Sequence, residues 1–99
     1  MIKVKVKKDS ISITGHANYS DYGKDIVCAS VSSIVITSVE AIAKFNNNSV
    51  DINKTNDEIN IIIKSHDTIT DKLIDNMITC LKEIEKQYPK NIKITNKEE

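Results

Sequence analysis

The sequence predicts an α+β domain of order β-β-α-β-β-α-β, in which a sheet of about five strands packs against two helices. Two patterns carry this reading. Four short stretches alternate apolar with polar residues and a fifth is an apolar run of strand length, whereas two longer stretches repeat apolar residues at spacings of three and four. Chain length is the third observation: 99 residues and 11.1 kDa enclose one core and not two, so residues 1–99 are read as a single domain.

The first strand is Ile2 to Lys7, with Ile2, Val4 and Val6 set against Lys3, Lys5 and Lys7, so one face is buried and the lysine face is solvated. Lys8-Asp9 turns the chain, and Ile11 and Ile13 alternate with Ser10, Ser12 and Thr14 as the return arm of a hairpin. Gly15 to Lys24 holds both glycines of the chain and reads as a loop able to move. From Asp25, an N-cap residue, the apolar positions Ile26, Val27, Val31, Ile34, Val35, Val39 and Ile42 describe a helix over about 25–45 that is buried on most sides. Its β-branched residues weaken intrinsic propensity, so packing must sustain it. Asn46-Asn47-Asn48 is expected to stop it in the left-handed conformation that asparagine tolerates.

Val50 and Ile52 lead into the turn Asn53 to Asp57, and Ile59 to Lys64 completes a second hairpin whose second arm has the apolar character of an interior strand. Thr68 or Thr70 is expected to cap the second helix, which carries Ile69, Leu73, Ile74, Met77, Ile78, Leu81 and Ile84 and stops at Tyr88-Pro89. Asn91 to Thr95 is the last strand.

Charge and composition exclude several function classes. Fourteen lysines balance 14 acidic residues, so the basic footprint of a nucleic-acid binder is missing and no direct nucleic-acid binding is expected. There is no arginine, and with it goes the bidentate fork favoured for phosphate and guanine. The most apolar stretch, Ile26 to Ala43, is interrupted by Ser30, Ser32, Ser33, Thr37, Ser38 and Glu40, so no membrane span is expected. The lysine-rich N-terminus has no apolar segment of export-signal length, so a cytoplasmic location is expected, in which Cys28 and Cys80 read as thiols and not as a disulfide. No C-x-x-C or H-x-x-x-H pairing suggests a metal site, and no glycine-rich phosphate loop suggests a cofactor.

The segment Gly15 to Ser32 holds the chemistry. His16 follows a strand, and Cys28 falls at the third helical position after Asp25, near unsatisfied N–H groups and the positive end of the helix dipole. That environment favours a thiolate, and a neighbouring imidazolium favours it further. Asp25, Cys28 and Ser32 share one helix face. The Asp25 carboxylate is expected to cap the Cys28 N–H, its negative charge opposing any activating role, and Ser32 to bond back to the Cys28 carbonyl. Residue types and spacing alone leave two readings open, a catalytic pair or a small buried thiol beside an unrelated histidine. His66 reads as a surface turn residue and Cys80 as a packing or flanking residue of the second helix.

The string Gly15-His16-Ala17, a tyrosine-containing spacer, then Gly23-Lys24-Asp25-Ile26-Val27-Cys28-Ala29-Ser30-Val31-Ser32 resembles the ribosomal-processing cysteine protease family, Prp. The motif covers 18 of 99 residues and departs from the family pattern at Ser30, where alanine is expected. The resemblance implies a cytoplasmic endopeptidase, working as a homodimer, that removes the N-terminal extension of a large-subunit ribosomal protein, L twenty-seven, during ribosome assembly. Carried over by position, it implies Cys28 as nucleophile, His16 as general base, and Gly15, Asp25 and Ser32 as supporting residues. Oxyanion donors are then expected among the N–H groups of the helix start or of the Gly23 loop. The rival reading is a non-enzymatic ribosome- or protein-binding module that docks through the lysine-faced first strand.

Overall fold

The computed structural model describes residues 1–17, 19–20 and 25–96. The chain runs β1 (Ile2–Val6), β2 (Ser10–Thr14), α1 (Ile26–Phe45), β3 (Val50–Lys54), β4 (Glu58–Ile63), α2 (Thr68–Gln87) and β5 (Ile92–Asn96). The predicted element order therefore holds. The strands form one mixed sheet in the order β3-β4-β2-β1-β5, antiparallel except for the β1–β5 pair. β4 is an interior strand, as its apolar run suggested, because it pairs with β2 as well as with β3.

Register places the apolar residues of successive strands opposite one another: Val4 faces Ile13, Ile13 faces Ile59, Ile11 faces Ile61, and Ile2 faces Ile92. These side chains are buried on one side of the sheet, and Lys3 and Lys5 are exposed on the other. A one-residue slip would exchange the two faces, so burial pins the register. Both helices cover the apolar face. α1 buries Val27, Val31, Val35 and Ile42, α2 buries Thr70, Ile74, Met77 and Leu81, and the two rows meet in one core with the sheet. Full burial of each aliphatic side chain contributes on the order of 1.5–3 kcal/mol, which is how packing sustains a helix rich in valine and isoleucine.

α1 is long and apolar enough to cross a membrane, which the serines and threonines in it had seemed to preclude. The valines, isoleucines and alanines outweigh those hydroxyls in its mean hydropathy; separately, Ser30 and Ser38 each donate to a carbonyl one turn back, at 2.7 Å, which satisfies their hydroxyls within the helix. In the fold only the row Val27, Val31, Val35 and Ile42 lies buried against the sheet and α2, while Ile26 and Phe45 are exposed, so the helix is buried along one face and not on most sides as expected.

Two boundaries differ from expectation. The N-cap of α2 is Asp67, not Thr68 or Thr70. Its carboxylate accepts the Thr70 N–H at 2.8 Å and the Thr70 hydroxyl at 3.0 Å, a two-point acceptor that no threonine provides at that position. Ser65 Oγ and Asn46 Nδ2 also donate to the same carboxylate. Asn46 closes α1 in extended backbone (φ −151°) and not in the left-handed region. It works through its side chain, whose oxygen accepts the Asn48 N–H at 3.0 Å while its amide reaches Asp67 at 3.3 Å, tying the end of one helix to the start of the other.

Candidate active site

Gly15 lies just past the end of β2, where the β2–β4 ladder continues by one further bond: the Gly15 N–H donates to the Asp57 carbonyl at 3.1 Å. Its φ is +86°, and a Cβ there would stand 2.6 Å from the Met1 carbonyl oxygen, so only glycine fits. This sharp exit aims the next residue. The His16 imidazole meets the Asp57 carboxylate, with Nε2 and Oδ1 2.7 Å apart. Ala17 follows, buried, its N–H directed at the Cys28 sulfur at 3.3 Å and its carbonyl accepting from Asn91 Nδ2 at 3.0 Å.

Cys28 comes to this point because Asp25 starts α1 just before it. Asp25 Oδ1 accepts the N–H groups of Val27 and Cys28 at 2.9 and 3.0 Å, as the spacing predicted, and Oδ2 reaches in the other direction to the N–H groups of Tyr19 and Ser20 at 2.9 and 3.3 Å. One carboxylate thus joins the loop to the helix start. Burial opposes its ionisation, but the four N–H donors outweigh burial and hold the carboxyl below its ordinary range. Its charge is shared among those donors, which blunts its repulsion of negative charge on Cys28. The sulfur sits half-buried in the first turn of α1, beside the helix N-terminus and within hydrogen-bond reach of the Ala17 N–H.

A cleft of about 560 Å³ opens here, lined by Gly15, His16, Asp25, Cys28, Ser32 and Asp57 among others. All five residues singled out from sequence therefore line one cavity. Two expectations change. Among the described residues Ser32 makes no bond back to the Cys28 carbonyl, because it lies on the cleft-lining face, and back-bonding occurs at Ser30 and Ser38 instead. The helix-start N–H groups of Val27, Cys28 and Ala29 all go to Asp25, through its side chain or its carbonyl, and so are not oxyanion donors in this arrangement. Gly23 and Lys24, the other donor candidates, lie outside the described residues, as do Asn18, Asp21 and Tyr22. The described part of the loop is tied down: besides the bonds to Asp25 and Asn91, the Tyr19 ring meets Tyr88 edge to face at 5.2 Å.

The sequence did not identify Asp57. Its only local signal is membership of a polar turn, and it meets His16 from 41 positions away. His66 is a surface residue as expected, but not a plain one, since its two ring nitrogens meet Asp9 at 2.6 Å and Asp71 at 2.8 Å. Cys80 is half-buried on α2. Among the described residues no group of three or more His, Cys, Asp or Glu side chains is arranged to hold a metal ion.

A loop histidine and a helix-start thiol on one cleft is an arrangement suited to nucleophilic catalysis, and relatives of the chain carry the corresponding description. The family model of the cysteine protease Prp matches residues 1–93. The ribosomal processing cysteine protease Prp of Staphylococcus aureus is 34% identical over 94 residues, covering 92% of this chain and 89% of that protein. Its Bacillus subtilis counterpart is 28% identical over 93 residues, covering 87% and 83%. A crystal structure of the Staphylococcus aureus protease, an essential ribosomal processing enzyme with a covalently linked product peptide, superposes with a TM-score of 0.91 at 28% identity, covering 98% of this chain and all of that one. By the match over nearly its whole length and by the fold it shares, the chain belongs to the cysteine protease Prp family.

Proposed function

We propose that this single-domain protein is the endopeptidase that removes the N-terminal extension of a large-subunit ribosomal protein, L twenty-seven, during ribosome assembly, with Cys28 as nucleophile and His16 as general base. The observation that carries the assignment is the convergence of His16 and Cys28 on one cleft, with the N–H of the residue after His16 bonded to the Cys28 sulfur. The Cys28 thiolate attacks the scissile carbonyl, the C–N bond breaks, and the imidazolium of His16 gives its proton to the leaving amine. Water then attacks the thioester, His16 takes the water proton, and the carboxylic acid product leaves the regenerated thiolate. Gly15, Asp25 and Ser32 support the site: Gly15 by its turn, Asp25 by joining loop to helix, Ser32 by lining the cleft one turn from Cys28. The enzyme acts in the cytoplasm, as a homodimer and without a cofactor.

A peptide spanning the junction between extension and mature ribosomal protein, mixed with the purified reduced enzyme, should yield one N-terminal fragment by mass. Cys28→Ala and His16→Ala should each abolish release while circular dichroism shows an intact fold. Cleavage by purified Cys28→Ala would remove the thiol from the mechanism. Sedimentation that shows only an 11.1 kDa species at micromolar concentration would contradict the dimer.

A further inference from the structure

We infer that Asp57 is the positioning residue of this site, so that catalysis rests on three side chains, Cys28, His16 and Asp57. The inference builds on the assignment of Cys28 and His16 above. Its basis is geometric: Asp57 Oδ1 stands 2.7 Å from His16 Nε2, and the two side chains line the same cleft as the Cys28 sulfur. A hydrogen bond at one ring nitrogen fixes which nitrogen carries the proton and which way the ring faces. With Nε2–H donated to Asp57, Nδ1 is the nitrogen that exchanges a proton with Cys28. When it takes the thiol proton, the carboxylate faces the resulting imidazolium through the same bond and remains ionised.

The turn that carries Asp57 is itself registered on the site. The Gly15 N–H donates to the Asp57 carbonyl at 3.1 Å, and the adjoining pair Thr14–Glu58 belongs to the β2–β4 ladder. Backbone pairing therefore sets the height of Asp57 opposite Gly15, and its side chain holds the ring of the next residue. In the free protein the pair is open to solvent, with 41% of the His16 side chain and 77% of the Asp57 side chain exposed. An exposed ion pair does little for stability. A peptide lying in the cleft would displace water from it, and the charge interaction strengthens as the local dielectric falls.

The test is Asp57→Asn, which leaves the backbone bond from Gly15 in place and removes only the carboxylate charge. Two readouts are independent of fold. With junction peptide, kcat should fall about tenfold while KM changes less than about twofold, a discounted effect for an exposed orienting residue. Without any peptide, alkylation of Cys28 by iodoacetamide should slow severalfold at pH 6.5, yet match wild type at pH 9.5, where thiolate forms without an imidazolium. Asp57→Glu should recover part of both losses. Wild-type kcat and a wild-type alkylation profile in Asp57→Asn would overturn the inference. The alkylation profile decides it even where the peptide is not cleaved, an outcome that would instead count against the proposed substrate.

Discussion

Asp25 joins more backbone than any other side chain at the site, and its replacement should divide into two separable losses. Alanine removes the acceptor for all four N–H groups. Loss of an N-cap costs about 1 kcal/mol. The N–H groups of Tyr19 and Ser20 together add about 1–2 kcal/mol, below the usual range for two bonds to a charged acceptor because both residues are exposed and solvent competes for their donors. Asp25→Ala should thus lose about 2–3 kcal/mol, which for a domain of about 100 residues lowers Tm by roughly 10–20 °C. Asparagine keeps one carbonyl oxygen for Val27 and Cys28 but presents an NH₂ group to the donors of Tyr19 and Ser20, so Asp25→Asn should lose only the loop part, about 1–2 kcal/mol. Acid titration gives a second reading. The folded carboxyl lies below its ordinary value of 3.8, so its contribution is full above that value and disappears as pH falls through the lower folded one. Calorimetry across pH 2.5–6 should show this acid loss in wild type and a smaller one in Asp25→Asn. Equal Tm for the asparagine and alanine variants, or an asparagine variant as stable as wild type, would refute the division.

Three further outcomes follow from individual contacts. Gly15→Ala places a left-handed alanine against the Met1 carbonyl and should cost about 2 kcal/mol or more in urea unfolding, and a change under 0.5 kcal/mol would show that the turn relaxes cheaply. His66 has its proton held by the carboxylates of Asp9 and Asp71, which raise its pKa above the ordinary 6.5 of histidine. The stability it adds is therefore full below 6.5 and lost as pH rises through the folded value; His66→Gln should flatten Tm between pH 6 and 8. Cys80→Ala should retain cleavage and lose at most about 1 kcal/mol from a half-buried position, and loss of activity with the fold intact would mean that the two cysteines have been wrongly separated.

Every element of this fold was legible because its signal is local. Ile2-Lys3-Val4-Lys5-Val6 alternates, Asp25 precedes an apolar helix, and Tyr88-Pro89 ends one, each within a few residues. Pairing between distant strands was not legible. Nothing within β2 indicates that its free edge takes β4, or that β1 takes β5 in parallel, since both choices depend on how the helices cross the sheet. The capping residue of α2 was missed for a smaller reason: Asp67, Thr68 and Thr70 are all good caps, and a two-point bond between the first and the last of them decides the matter.

The same division runs through the active site. Asp25 and Cys28 are three positions apart on one helix start, so their bond could be read from spacing alone, and His16 lies close enough in sequence for the intervening loop to close on them. Asp57 required the β2–β4 register, which sets Glu58 beside Thr14 and so brings the preceding residue to Gly15. A glycine with φ +86° at that junction then has two tasks: it turns the chain so that His16 leaves the sheet toward the cleft, and it keeps the N–H that secures the turn bearing Asp57. The proposed nucleophile and base thus come from a segment that reads locally, whereas the carboxylate inferred to orient the base comes from a turn registered by the sheet. A change that shifts the β2–β4 register should accordingly disturb the His16–Asp57 bond while leaving the Asp25 cap and Cys28 in place.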